Sequence, residues 1–236
     1  MYAATATALG VGLHSAAVDP VFRTRLTEVV GARAVKADRS AATPESAAQV
    51  ALVCRLCAET ATPLAVTSGP AGEGAAPPGG LLLSLSRLVE VRVEPGRLVA
   101  RAEAGAGVSA LAEAAGAAGL AVVGLPGGRA PGRVGTLVAR GAVPRRSLCG
   151  IEAVLATGEA VHAGGPVLKD VTGYDLAGVL LGSGGRLALI TAVTFRLVAN
   201  PARVPRQQPG GATADGPGAE LVRLAFDPAG LLHPAG

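Results

Sequence analysis

The stretch Lys169–Asp170–Val171–Thr172–Gly173–Tyr174–Asp175–Leu176 is followed closely by Leu181–Gly182–Ser183–Gly184–Gly185–Arg186–Leu187–Ala188–Leu189–Ile190–Thr191. It constrains the fold more than any other part of the chain. A turn at Gly173 leads into a short apolar helix. A Gly-rich turn follows, then a strand in which apolar residues alternate with small or polar ones. Asp175 suits the N-cap of the helix, and Tyr174 suits a packed ring with a satisfied hydroxyl.

The rest of the chain must build a core around this junction. With 236 residues it can do so as one large domain or two small ones. Half the residues are apolar and 16% are charged, which argues against disorder. Aromatics make up 2%, so the core is expected from Ala, Val and Leu, with 34 glycines for close turns. The net charge of +4 comes from scattered arginines. A nucleic-acid surface would want a basic stripe with stacking aromatics, and the sequence offers neither.

Three cysteines, an odd number, argue against a disulfide scaffold. Cys54 and Cys57 form a lone C-x-x-C inside an apolar helical run and read as packed thiols, while Cys149 has no evident partner. No His/Cys/Asp grouping has metal-ligand spacing. The first basic residue is Arg23, so no charged leader region is visible. No apolar run approaches the roughly 20 residues a bilayer span needs. The expectation is a soluble cytoplasmic protein without a membrane span.

Along the chain, residues 20–30 read as an amphipathic helix, and a short strand is expected near 34–36. Thr43, Pro44 and Glu45 look like the start of a second helix, with Val50, Val53, Cys54 and Cys57 at helical spacing. Residues 64–66 and 81–85 read as strands. Residues 89–93 and 97–104 read as a hairpin, 109–118 as a helix, and 121–123 and 134–139 as strands. A hairpin at 151–162 turns on Thr157–Gly158, and a last strand covers 187–197. The order is α+β rather than the steady alternation of a doubly wound sheet. Residues 204–219 are Pro/Gly/Ala-rich and read as a linker, with a last helix expected over 221–228.

These strings resemble the FAD-linked oxidases of the vanillyl-alcohol oxidase and p-cresol methylhydroxylase type, in particular their glycolate oxidase and D-lactate dehydrogenase branch. Lys169–Thr191 is similar to their "K-x-x-x-G-Y-D-L … G-S-E-G-T-L-G-x-I-T". Pro63–Leu64–Ala65–Val66 followed by Thr67–Ser68–Gly69–Pro70–Ala71–Gly72 resembles their phosphate-cradling loop, and Gly79–Leu88 the strand after it. Leu125–Pro126 and Val134–Gly135–Thr136 resemble the segment along the flavin. Gly150–Glu159 and Phe226–Gly236 match two further motifs.

The resemblance implies an FAD-binding domain over 1–203, in two subdomains of roughly 35–105 and 106–203. Residues 220–236 correspond to the family terminus, and a linker stands where the substrate (cap) domain is expected. It implies non-covalent FAD. The candidate contacts are Thr67, Ser68, Gly69, Pro70, Ala71, Gly72, Pro126, Gly135, Thr136, Tyr174, Leu189 and Ile190. It implies hydride transfer to flavin from a small 2-hydroxy acid, beside a fuller flavoprotein or iron–sulfur subunit. No catalytic residue can be named.

Departures from the family pattern keep a second reading open. Pro70 removes an amide donor, Ala71 replaces the expected Thr, and Glu73 adds negative charge beside a diphosphate loop. Gly184, Arg186 and Ala188 stand for the usual Glu, Thr and Gly. The alternative is a protein that keeps the fold without flavin and serves as a structural or interaction subunit.

Overall fold

The computed structural model describes residues 20–36, 40–125, 131–164, 175–199 and 232–233, which form two sheets with helices packed on them. In the first half come helix α1 (Pro20–Val30), strand β1 (Ala41–Ala42), helix α2 (Ala47–Glu59), and strands β2 (Leu64–Thr67) and β3 (Leu81–Ser84). These strands run parallel in the order β1-β3-β2, and β10 (Leu232–His233) adds on beside β2. Parallel strands are covered on both faces, which explains why β3 is buried at every position. Phe22, Leu26 and Val30 recur every fourth residue and pack α1 against Val50, Val53, Cys54 and Cys57 of α2.

The second sheet is antiparallel. It comprises β4 (Val91–Glu94), β5 (Val99–Glu103), β7 (Leu148–Val154), β8 (Ala160–Gly164) and the long β9 (Leu189–Ala199), in the order β4-β5-β9-β7-β8. Strand β6 (Leu120–Val122) pairs with the far end of β9. Helices α3 (Val108–Ala117), α4 (Val134–Ala139) and α5 (Leu176–Leu180) belong to this half. The β4–β5 hairpin, which falls inside the expected first subdomain, pairs with β9 of the second sheet.

β9 ties the two halves together. Ile190 packs in the core of the second sheet with Val193 and Phe195, while the neighbouring Leu189 packs with α2 and β3. A register shift at Thr191, between the Glu152–Ala192 and Ala153–Ile190 pairs, resets the alternation, so Ile190 joins Val193 and Phe195 while Leu189 turns to the other core.

Three local expectations are corrected. Residues 134–139 are helical, not extended: Val134 and Val138 lie one turn apart and both are buried, so helical spacing outweighs the β-branched composition. The α2 cap is Ser46, not Thr43. Ser46 Oγ accepts the Gln49 N–H at 3.2 Å, and Gln49 Oε1 accepts the Glu45 N–H at 2.7 Å. Residues 32–34 form a single 3₁₀ turn, and Val35 makes only an isolated bridge to Ala42. The expected linker and last helix lie outside the described residues. No helix among the described residues is long and apolar enough to cross a membrane.

Candidate functional site

β2 ends in a turn that its neighbours hold firmly. Thr67 and Ser68 are buried. Thr67 Oγ1 accepts the Gly69 N–H at 3.2 Å, and Ser84 Oγ of β3 donates to the Gly69 carbonyl at 2.8 Å. Pro70 then leads into a 3₁₀ turn, Ala71–Glu73, closed by the Glu73 N–H on the Pro70 carbonyl at 2.9 Å. Among the described residues, the N–H groups of Ser68, Ala71 and Gly72 donate to no main-chain carbonyl. Three donors left unengaged in one tight turn are the kind of group that can hold an anion.

Across from this turn stands the start of α4. A Cβ built on Gly135 would collide with Ser68 Oγ and stand 2.9 Å from the Ala104 Cβ. Glycine therefore lets α4 touch the β2 turn and the end of β5 at once. The Gly135 N–H is engaged by the Ala104 carbonyl at 2.8 Å and the Val134 N–H by the Ala106 carbonyl at 2.9 Å. Gly135 thus contributes close approach rather than a free donor. Arg133 Nη1 donates to the Gly105 carbonyl at 2.8 Å and fixes the same corner. Thr136 is half-buried one residue further on.

The glycine-rich turn of 182–186 closes the other end of α4. Gly182 and Gly184 donate to the Val138 and Ala139 carbonyls at 3.0 and 2.9 Å, and a Cβ on Gly185 would lie 3.4 Å from Val66 of β2. Within this turn Ser183 is buried, and among the described residues its hydroxyl has no hydrogen-bond partner. A buried hydroxyl without a partner is costly unless something else supplies one.

α5 is held from the same side. Asp175 caps it through the Gly178 N–H at 2.9 Å and receives the Arg145 guanidinium, with Arg145 Nε 2.9 Å from Oδ2. The Arg145 hydrogen bonds hold the Asp175 carboxyl below the usual carboxylate range. This is the capping role read from the sequence.

The predicted site residues therefore divide. Thr67, Ser68, Gly69, Pro70, Ala71 and Gly72 form the turn, Gly135 meets it at Ser68, and Thr136 follows half-buried on α4. Leu189 and Ile190 are buried in the β7–β9 ladder, beyond Ala192, where the β5 pairing ends. Pro126 and Tyr174 lie outside the described residues. Sequence reading missed Ala104, Ser84 and the role of Ser183, although Ser183 stands out as a polar residue flanked by glycines. A separate cavity of about 400 Å³ lies on the polar face of the second sheet, lined by Arg101, Glu152, His162 and Thr194.

The profile of a family described as an FAD binding domain matches residues 39–164. The chain belongs to that family. An uncharacterised FAD-linked oxidoreductase of Mycobacterium tuberculosis is 35% identical over 169 residues, covering 66% of this chain and 37% of the relative. A D-lactate dehydrogenase of Archaeoglobus fulgidus is 32% identical over 166 residues, covering 65% and 37%. The chain thus spans just over a third of the length of these curated relatives. In the crystal structure of p-cresol methylhydroxylase, 45% of that chain matches 78% of this one, with a TM-score of 0.60 and 20% identity. The architecture is that of its FAD-binding domain.

Two observations fit an FAD diphosphate: the N–H groups of Ser68, Ala71 and Gly72 that no main-chain carbonyl engages, and the buried Ser183 hydroxyl, which has no partner among the described residues. One residue works against that fit. A Cβ on Gly69 would stand 2.9 Å from Glu73 Cδ and overlap its Oε2, so the Glu73 carboxylate lies across the mouth of the turn.

Proposed function

We propose that this chain is the FAD-binding part of an oxidoreductase acting on a small 2-hydroxy acid, and that it works beside a fuller subunit. The observation that carries the reading is the seam itself, where the donor-rich 68–72 turn faces Gly135 with the glycine turn of 182–186 alongside. The N–H groups of Ser68, Ala71 and Gly72 are the donors we assign to the diphosphate, and Gly135, by letting α4 close on Ser68 and Ala104, holds the turn that carries them. Binding through such groups is non-covalent. FAD supplies a hydride acceptor, and the chain supplies position. The D-lactate dehydrogenase relative supports the substrate class.

Oxidation of a hydroxy acid also needs a base near the hydroxyl and a cation for the carboxylate. Of the charged side chains beside the turn, Arg133 donates to the Gly105 carbonyl and Glu73 lies over Gly69. We assign the base and cation to a partner, either a larger flavoprotein or an iron–sulfur subunit. Three free cysteines support a reducing compartment, the cytoplasm.

Titrating the purified full chain, freed of flavin, with FAD tests the reading. Yellow protein with stoichiometric flavin is expected, and dye reduction by D-lactate or glycolate is expected only when a partner is added. A chain that stays colourless at millimolar FAD sinks the reading. The second reading, a flavin-free structural subunit, draws its support from Pro70 and from the Glu73 carboxylate over Gly69.

A further inference from the structure

The turn that offers three N–H donors also carries an acid that no described residue neutralises. Glu73 is exposed, and among the described residues it forms no ion pair and no side-chain hydrogen bond. Its side chain nevertheless folds back over Gly69 rather than extending to solvent. The carboxylate therefore lies over Gly69, at the centre of the turn whose Ser68, Ala71 and Gly72 amides donate to no main-chain carbonyl, without itself accepting from any of them.

We propose that Glu73 is a built-in competitor for the dinucleotide: its carboxylate holds the diphosphate position at Gly69, and a diphosphate enters only by displacing it. This rests on the flavin-binding reading above. The glycine makes the arrangement possible, because any side chain at position 69 would exclude the carboxylate. Pro70, lacking an N–H, removes one donor that would otherwise favour the diphosphate over the shorter-reaching carboxylate. Two negative groups cannot share the turn at low cost, so FAD binding and the inward position of Glu73 are mutually exclusive.

Neutralising the acid should therefore tighten ligands that carry a diphosphate and leave others alone. The experiment titrates FAD, ADP and riboflavin into the full chain freed of flavin, for the unmodified protein, Glu73→Gln and Glu73→Ala. Glu113→Gln, an exposed acid on α3, serves as the charge control. Both Glu73 variants are expected to bind FAD and ADP about five- to twentyfold more tightly, as loss of one close like charge implies. Riboflavin affinity and the Glu113→Gln protein should not change. The advantage should shrink as salt screens the residual field. A colourless unmodified chain beside a yellow Glu73→Gln variant would support the proposal most strongly. Equal FAD affinity in the unmodified chain and both Glu73 variants overturns it while leaving flavin binding intact. Failure of all of them to bind FAD removes the flavin reading and this proposal together.

Discussion

Arg101 on β5 reaches across β9 to Glu152 on β7, donating from Nε and Nη2 to the two carboxylate oxygens at 2.6 and 2.7 Å. The intervening strand presents Ala192 opposite Glu152, a residue small enough to pass under the bridge. The fork geometry makes this the strongest ion pair on the sheet face, with Glu103 and Glu90 further out. The side chains are 28% and 38% exposed, so solvent screening keeps the contribution modest, about 1 kcal/mol.

That pair sets an acid sensitivity. The hydrogen bonds from Arg101 hold the Glu152 carboxyl below its ordinary range. A depressed carboxyl adds stability above its unfolded pKa and loses it as pH falls through the folded one. Glu152→Gln should lower the melting temperature at neutral pH and narrow the gap to the unmodified protein in acid. Melting curves at stepped pH check this. A gap that widens toward acid contradicts it.

Gly135→Ala sets two opposed effects against each other. Alanine inside a helix is worth about 0.5–1 kcal/mol over glycine. The new Cβ would meet Ser68 Oγ and sit 2.9 Å from the Ala104 Cβ, and overpacking of that kind costs about 1–3 kcal/mol. Net destabilisation and weaker FAD binding are expected. Adding Ser68→Ala should recover only part of the loss, because Ala104 remains. Chemical denaturation of the single and double variants measures the coupling.

Ser46→Ala removes the cap of the longest helix packed on the first sheet. A loss of about 1 kcal/mol is expected from the missing bond to the Gln49 N–H. Ser46→Asp should retain most of the stability, since aspartate caps as well and suits the positive helix end. Equal melting of the alanine and aspartate variants would count against the cap.

The cysteines should separate by reactivity. Burial pushes the Cys57 thiol up to about 12, and burial together with the neighbouring Cys57 raises Cys54 as well. Neither forms a thiolate near neutrality, and neither is accessible. Cys149 is half-buried. A thiol reagent at pH 8 should modify Cys149 first in the native chain and reach Cys54 and Cys57 only under denaturant. Mass spectrometry of the modified peptides reads the order.

Elements whose signal is local were legible in the sequence. The β7–β8 hairpin follows from apolar alternation around Thr157–Gly158, and Gly158 takes the left-handed conformation that such a turn requires, φ 82°. Asp175 was legible as a cap because its acceptor reaches only three residues ahead. α4 was not, since six residues with three β-branched side chains satisfy strand and helix patterns alike, and packing against Ala104 and Ser68 decides. At α2, Thr43–Pro44–Glu45 imitates a helix start three residues before the Ser46-x-x-Gln49 pair that caps it. The 67–72 turn, with Pro70 in it and Glu73 just after it, was legible only through the resemblance to the family motif. That the Glu73 carboxylate lies over Gly69, and that Ser68 meets Gly135, are properties of the folded chain and leave no mark on local pattern.

Leu232–His233 runs parallel to Leu64–Ala65, on the strand that feeds the Ser68 turn. In the order β1-β3-β2-β10 this short pair is the outer edge of the parallel sheet, so a chain cut before 232 would bare the main-chain donors and acceptors of β2 immediately ahead of Ser68.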